Sequence, residues 1–214
     1  MSLPFSQSAE RNKKAIGDAL QELLGAATSV FEFGSGTGQH AVYLCQRFSH
    51  LRWQPSDLRQ NLETIKLQIE HARLDNILPP LECDVLAPAL SMPSLSASHN
   101  EIVDGEQHHR YSFAYSANTA HIMGAPAVAR MMSIAGELLQ PSGYFALYGP
   151  FRYGAKQMAD GNVQFDAMLR EQDTTMGIRD KFKLDEFAVA GGMIPIDDLA
   201  MPSNNRILLW QKKN

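Results

Sequence analysis

The stretch Val30-Phe31-Glu32-Phe33-Gly34-Ser35-Gly36-Thr37-Gly38 is an apolar run that leads directly into three glycines spaced by two. A strand-to-helix turn built on glycine takes positive φ without strain and lets a ligand lie against backbone N–H groups, because no Cβ stands in the way. The spacing then narrows the ligand. A dinucleotide turn reads G-x-G-x-x-G, its third glycine packing a helix beside a pyrophosphate, whereas here the third glycine comes one residue early. Glu32, two residues before the first glycine, would repel a pyrophosphate and attract a cation.

Such a turn resembles the first motif of class I S-adenosylmethionine-dependent methyltransferases, whose cofactor presents a cationic amine and a sulfonium in place of phosphate. The resemblance implies cofactor contacts from Glu32, Gly34, Ser35, Gly36 and Gly38. Residues 39–48 then place Ala41, Val42, Leu44, Cys45 and Phe48 on one helical stripe, and residues 51–57 read as a strand ending in Asp57. Asp57 lies 57 − 38 = 19 residues past the last glycine. That is the distance at which a nucleotide-binding α/β sheet sets an acid on the ribose hydroxyls, although Asp57 also suits the cap of the helix that follows. A helix over 60–74 and a strand over 81–85 come next, and the resemblance assigns Asp84 to the adenine amino group; a solvated turn residue is the alternative.

The chain has 214 residues, 44% of them hydrophobic, which suits one α/β domain over 1–214. Nineteen basic and 23 acidic residues give a net charge of −4, and no basic run matches a phosphate backbone, so nucleic acid is disfavoured as a partner. Two cysteines, Cys45 on an apolar helix face and Cys83 in a strand, make no disulfide framework and read as buried small hydrophobes. Without a basic leader or an apolar run of membrane-spanning length, a cytoplasmic setting with no membrane contact is expected. Residues 86–110 read as a loop whose His99, His108 and His109 lack the companions of a metal site, so no metal is expected.

Strand character resumes over 111–116 and delivers Asn118 and His121 past its carboxyl end, where ligands of open parallel sheets bind. Asn118 is assigned to the cofactor side. His121 titrates near neutrality and is a candidate base, or else a satisfied, partly buried histidine. A helix over 126–139, stopped by Pro141-Ser142-Gly143, precedes a strand over 144–149. After a helix over 183–190, residues 193–199 and 206–212 form two strands with only a turn between them. The expected architecture is therefore α/β, a doubly wound, mostly parallel seven-stranded sheet closed by a C-terminal antiparallel hairpin. Class I methyltransferases have this arrangement, and nicotinamide-binding domains lack the final reversal.

Several strings sharpen the resemblance: Ser8-Ala9-Glu10-Arg11-Asn12, Ser35-Gly36-Thr37-Gly38-Gln39-His40, Trp53-Gln54-Pro55-Ser56-Asp57, Tyr148-Gly149-Pro150-Phe151, Gly177-Ile178-Arg179-Asp180 and Met201-Pro202-Ser203-Asn204-Asn205. Together they are similar to the family named for methyltransferase-like protein 26, across nearly the whole chain. The family's methyltransferase character rests mainly on cofactor motifs, and its substrate is not established. Met123-Gly124-Ala125-Pro126 departs from the family's Ser-Pro-Trp type string, and the 86–110 loop is long, so acceptor preference is expected to differ.

An amphipathic segment over 8–24, with Ile16, Leu20, Leu23 and Leu24 inward, reads as an N-terminal lid or as a plain surface helix. An insert over 150–182 is expected to shape the acceptor pocket, with Tyr153, Asn162 and Phe165 beside Tyr148. A sulfonium is already an activated methyl donor, so alignment and exclusion of water supply most of the catalysis, and well-oriented reactions gain about 7–11 kcal/mol that way. His121, Tyr148 and Glu10 are the candidate catalytic residues. The function expected is S-adenosylmethionine-dependent methyl transfer to a small-molecule acceptor, a protein side chain being the other acceptor class. The alternative is a non-catalytic protein that binds S-adenosylmethionine or S-adenosylhomocysteine; a nicotinamide-dependent oxidoreductase fits the glycine spacing poorly.

Overall fold

A computed structural model describes residues 3–87, 100–103, 106–109 and 111–214. The chain opens with helices α1 (Gln7–Ala19) and α2 (Gln21–Ala26), then alternates β1 (Ser29–Phe33), α3 (Gln39–Arg47), β2 (Arg52–Asp57), α4 (Leu62–Ala72) and β3 (Leu81–Glu82). A hairpin of β4 (Asn100–Val103) and β5 (Glu106–His109) precedes β6 (Tyr111–Ala117), α5 (Ala125–Leu138) and β7 (Leu139–Gly149). There follow β8 (Phe151–Arg152), α6 (Asp160–Gln172), β9 (Arg179–Asp180), α7 (Lys181–Ala190), β10 (Met193–Ala200) and β11 (Arg206–Lys212).

Seven strands form one sheet in the order β10-β11-β7-β6-β1-β2-β3. Strands β3, β2, β1, β6 and β7 pair in parallel, and β11 enters antiparallel between β7 and β10. This is the expected doubly wound sheet with its terminal reversal.

All five residues of β1 are buried because helices cover both faces of the sheet. Side chains alternate along a strand. Phe31 and Phe33 therefore point into the layer that holds Met131 and Met132 of α5 and Leu184 of α7. Val30 points into the other layer, with Ile16, Leu20 and Leu24 of the N-terminal helices, Leu44 of α3, Trp53 and Tyr115. Full burial of each such large apolar side chain contributes about 1.5–3 kcal/mol. Ile16, Leu20 and Leu24 are all fully buried, so the N-terminal segment is part of the core wall.

Three sequence expectations need correction. The segment expected to be a loop over 86–110 contains the β4–β5 hairpin, with His108 and His109 in β5 and His99 outside the described residues. Strand β3 ends at Glu82, so Asp84 lies in the turn beyond it. Strand β7 begins at Leu139, which pairs with Tyr111; Pro141-Ser142-Gly143 is an irregularity in that pairing, with Ser142 at φ 62°, and not a loop before the strand. The 150–182 insert carries α6 and a separate two-stranded parallel sheet, β8 with β9.

Candidate active site

At the carboxyl ends of β1, β2, β3 and β6 lies a cleft of about 590 Å³. It sits where the strand order reverses on either side of β1, the place at which open α/β sheets bind ligands. Gly34 and Gly36 form its floor, at φ 66° and 57°. A Cβ on Gly34 would stand 2.3 Å from Thr119 Cγ2, whereas a Cβ on Gly36 would meet nothing within 4 Å and would project into open space. Asp57, Leu58 and Asn61 line one wall, Asp84 and Val85 the next, and Asn118, Met123 and Met131 the far side.

Asp57 is buried and already engaged. Its Oδ2 accepts the Gly36 N–H at 2.7 Å, and its Oδ1 accepts the Leu58 N–H at 2.8 Å and the Asn61 amide at 2.7 Å. A carboxylate offers about four lone-pair sites, so capacity for one further donor remains. Asp84 is exposed at the rim, its Oδ1 accepting the Leu86 N–H at 3.0 Å. Asn118 adopts φ 59° and donates its backbone N–H to Tyr148 O at 2.9 Å, which turns the chain sharply at the end of β6.

The structure places Glu32, Ser35 and Gly38 beneath the turn, not on the cleft wall. Glu32 lies on the Val30 side of β1, where its Oε2 accepts Ser35 Oγ–H at 2.8 Å and Trp53 Nε1–H at 2.9 Å. Burial pushes its carboxyl up to about 7, against the lowering effect of those two donors. Ser35 Oγ in turn accepts the Ser56 N–H at 3.1 Å, which knits the turn to β2. A Cβ on Gly38 would face Ile65 and Gln68 of α4. Through Ser35 and Trp53, Glu32 supports the turn from below.

Two further pockets adjoin the cleft at Asn118, which borders all three. One, of about 320 Å³, lies between α1 and the β10–β11 connection and holds Ser8, Arg11, Asn12, Tyr148, Ser203 and Asn205. The other, of about 490 Å³, shares Ser8, Ser203 and Asn205 and adds His121, Asn162 and Phe165. His121 is buried, its ring edge-on to Phe165 with centroids 5.2 Å apart. Burial and the nearby Arg179 hold its imidazole down at about 4, so it is neutral at pH 7. Burial raises the Tyr148 phenol, against hydrogen bonds with Asn12 and Asn205, so this hydroxyl keeps its proton at pH 7.

Glu10, the third candidate catalytic residue, lies apart from His121 and Tyr148. Its Oε2 takes Lys13 Nζ at 2.8 Å and Gln39 Nε2 at 3.3 Å, on the side of α1 that faces α3. The lining it shares there is that of a small hollow with Phe5, Tyr43 and Gln68, apart from Asn118 and His121. Neighbouring Asn12 turns inward instead, Oδ1 lying 2.7 Å from His40 Nε2, and burial lowers His40 to about 4.

Sequence reasoning passed over Thr119, Asn61 and Arg179. Thr119 Oγ1 lies 2.6 Å from Ser116 Oγ and backs Gly34. Arg179 donates to the carbonyls of Ala120 at 2.9 Å, Thr175 at 2.6 Å and Met123, which fixes the loop carrying His121. Arg179 lies in the Gly177 to Asp180 string, and the Gly177 N–H also donates to His121 O at 2.9 Å. Among the described residues no group of three or more His, Cys, Asp or Glu could hold a metal, and no helix is long and apolar enough to cross a membrane.

Solved structures share this fold. An O-methyltransferase family protein from Burkholderia thailandensis superposes with a TM-score of 0.76 at 13% identity, over 96% of this chain and 57% of that one. Human N-acetylserotonin methyltransferase, solved in complex with S-adenosylmethionine, gives 0.73 at 11% identity, over 97% and 53%. Mitomycin 7-O-methyltransferase gives 0.71 at 13% identity, over 96% and 57%. The chain thus spans little more than half the length of each.

Topology and superposition together define a class I methyltransferase fold. Within that class, the chain belongs to the family described as a protein of unknown function (DUF938), whose model matches residues 3–212.

Proposed function

We propose that this protein is an S-adenosylmethionine-dependent methyltransferase that acts on a small-molecule acceptor. The observation that carries the reading is the cleft floored by Gly34 and Gly36 and flanked by Asp57 and Asp84, opening at Asn118 into separate pockets. The residues fit the cofactor. Gly36 leaves open the space that a Cβ would fill, so backbone can approach a ligand closely. Asp57 retains capacity for a ribose hydroxyl, and exposed Asp84 is available to an amino group. Ile122, Met123 and Met131 give the cleft an apolar far side.

When bound, S-adenosylmethionine supplies a methyl group already activated by a sulfonium. What the chain must add is alignment. Asn118 borders both the cleft and the acceptor pockets and so marks the side from which an acceptor would approach. Neutral His121 is able to take a proton from an acceptor, and the Tyr148 hydroxyl to donate a hydrogen bond to it. The pocket lining draws Ser8, Arg11, Asn12, Tyr148, Asn204 and Asn205 from the strings that carry the resemblance to the methyltransferase-like protein 26 family.

The test is turnover. Purified protein, incubated with S-adenosylmethionine and a library of small hydroxylated and amine compounds, should release S-adenosylhomocysteine with at least one of them. Tight cofactor binding with release at background throughout would favour the non-catalytic reading.

A further inference from the structure

The walls of the two pockets beyond Asn118 hold amides, hydroxyls and one guanidinium, Arg11, and no aspartate or glutamate among the described residues. Arg11 is exposed on α1 with no carboxylate partner among the described residues. Its neighbour Glu10 is occupied by Lys13 on another face of the helix, and Asp198 of β10 is taken by Arg206 and Tyr153. The basic group is therefore left facing a pocket without a counter-charge.

Three of the five described non-glycine residues at positive φ lie in the same region. Asn118, Ser203 and Asn204 all have positive φ, at 59°, 59° and 57°; all three border the larger pocket, and Asn118 and Ser203 the smaller as well. Non-glycine residues in the left-handed region cost energy and gather at ligand sites, where surrounding structure holds them. Here they turn amide and hydroxyl side chains toward one space, beside the ring of Phe165.

Resting on the methyltransferase reading, we propose that the acceptor is a small molecule bearing a carboxylate, with a flat apolar body against Phe165 and His121 and its carboxylate held by Arg11. A single guanidinium pairs two N–H groups with the two oxygens of one carboxylate. The surrounding amides then satisfy the remaining lone pairs without competing charge. Arg11 lines the smaller pocket and His121 and Phe165 the larger, and the two share Ser8, Asn118, Ser203 and Asn205, so the acceptor spans both with its carboxylate at the α1 end.

The test uses matched probes on the S-adenosylhomocysteine-saturated protein: benzoate, 4-hydroxybenzoate and 4-hydroxyphenylacetate, each against its carboxamide, followed by ligand-observed NMR and calorimetry. At least one carboxylate should bind about tenfold more tightly than its carboxamide. Arg11→Gln should abolish that preference at unchanged melting temperature, and Arg11→Lys should retain part of it. Failure of every carboxylate to bind, equal binding of acid and amide, or a preference that survives Arg11→Gln would overturn the proposal. S-adenosylhomocysteine is titrated separately; its failure to bind beside an intact, Arg11-dependent carboxylate preference would overturn the methyltransferase reading and leave the anion site standing.

Discussion

Asp57 and Gly36 are joined by a 2.7 Å hydrogen bond from the glycine N–H to the carboxylate Oδ2, which ties the end of the second strand to the turn after the first. One acid thus braces the glycine turn and lines the cleft. Asp57→Ala should weaken S-adenosylmethionine binding by about 1.5–3 kcal/mol, a tenfold to hundredfold effect, as charged hydrogen bonds are lost. It should also lower the unfolding midpoint, because the Leu58 N–H and Asn61 amide lose their acceptor. Unchanged affinity in a folded variant would remove the ribose assignment.

Gly34 and Gly36 share a conformation and differ in surroundings. Gly34→Ala forces a methyl into Thr119, which its contact with Ser116 holds in place, and should cost on the order of 2–4 kcal/mol in urea unfolding. Gly36→Ala carries only the left-handed strain, about 1–2 kcal/mol. The second variant should fold yet bind cofactor at least tenfold more weakly, since its methyl occupies the cleft. Equal stability of the two variants would contradict this division.

Arg179→Met should destabilise the protein by on the order of 2–4 kcal/mol, because three carbonyls lose a charged donor. Arg179→Lys should recover only part of that loss, since one ammonium lacks the forked reach of a guanidinium. Chemical denaturation of both variants tests the claim; full recovery by lysine would show that charge alone matters.

Stability should fall in mild acid with a definite slope. His40 and His121 are held near 4, so below about 6.5 the unfolded chain binds two protons that the native protein does not. Glu32 works oppositely: raised to about 7, it keeps a proton in the native state that the unfolded chain loses above about 4.5. Between about pH 5 and 6 the balance is one extra proton on the unfolded chain, so stability drops about 1.4 kcal/mol for each unit of acidification. Glu32→Gln should roughly double that slope, and His121→Asn should flatten it. Melting curves across this range, unchanged by either substitution, would contradict the burial of these groups.

Much of this was legible in the sequence, for reasons that differ by element. The C-terminal reversal was readable because 193–199 and 206–212 are separated by too little chain for a crossover helix, and Asp57 because its spacing from Gly38 is set by one helix and one strand. The partners of Glu32 were not legible because strand alternation puts it opposite Phe31 and Phe33, and nothing local reveals that Trp53 and Ser35 wait on that side. The β4–β5 hairpin has no apolar alternation over Glu106–His109 to announce it. Glu10 and Arg11 are adjacent in sequence but diverge around the helix, one toward Gln39 and the other toward the pocket at Tyr148. Which of them faces the site depends on how α1 packs on α3, a tertiary choice that helical periodicity leaves open.

The central claim is that the cleft takes an adenosyl cofactor, and calorimetric titration of the purified protein with S-adenosylmethionine, S-adenosylhomocysteine and a nicotinamide dinucleotide addresses it most directly. The account predicts saturable binding of both adenosyl ligands, weakened in Asp57→Ala and Gly36→Ala, and no binding of the dinucleotide. Absence of adenosyl binding, or binding of the dinucleotide in its place, would contradict it.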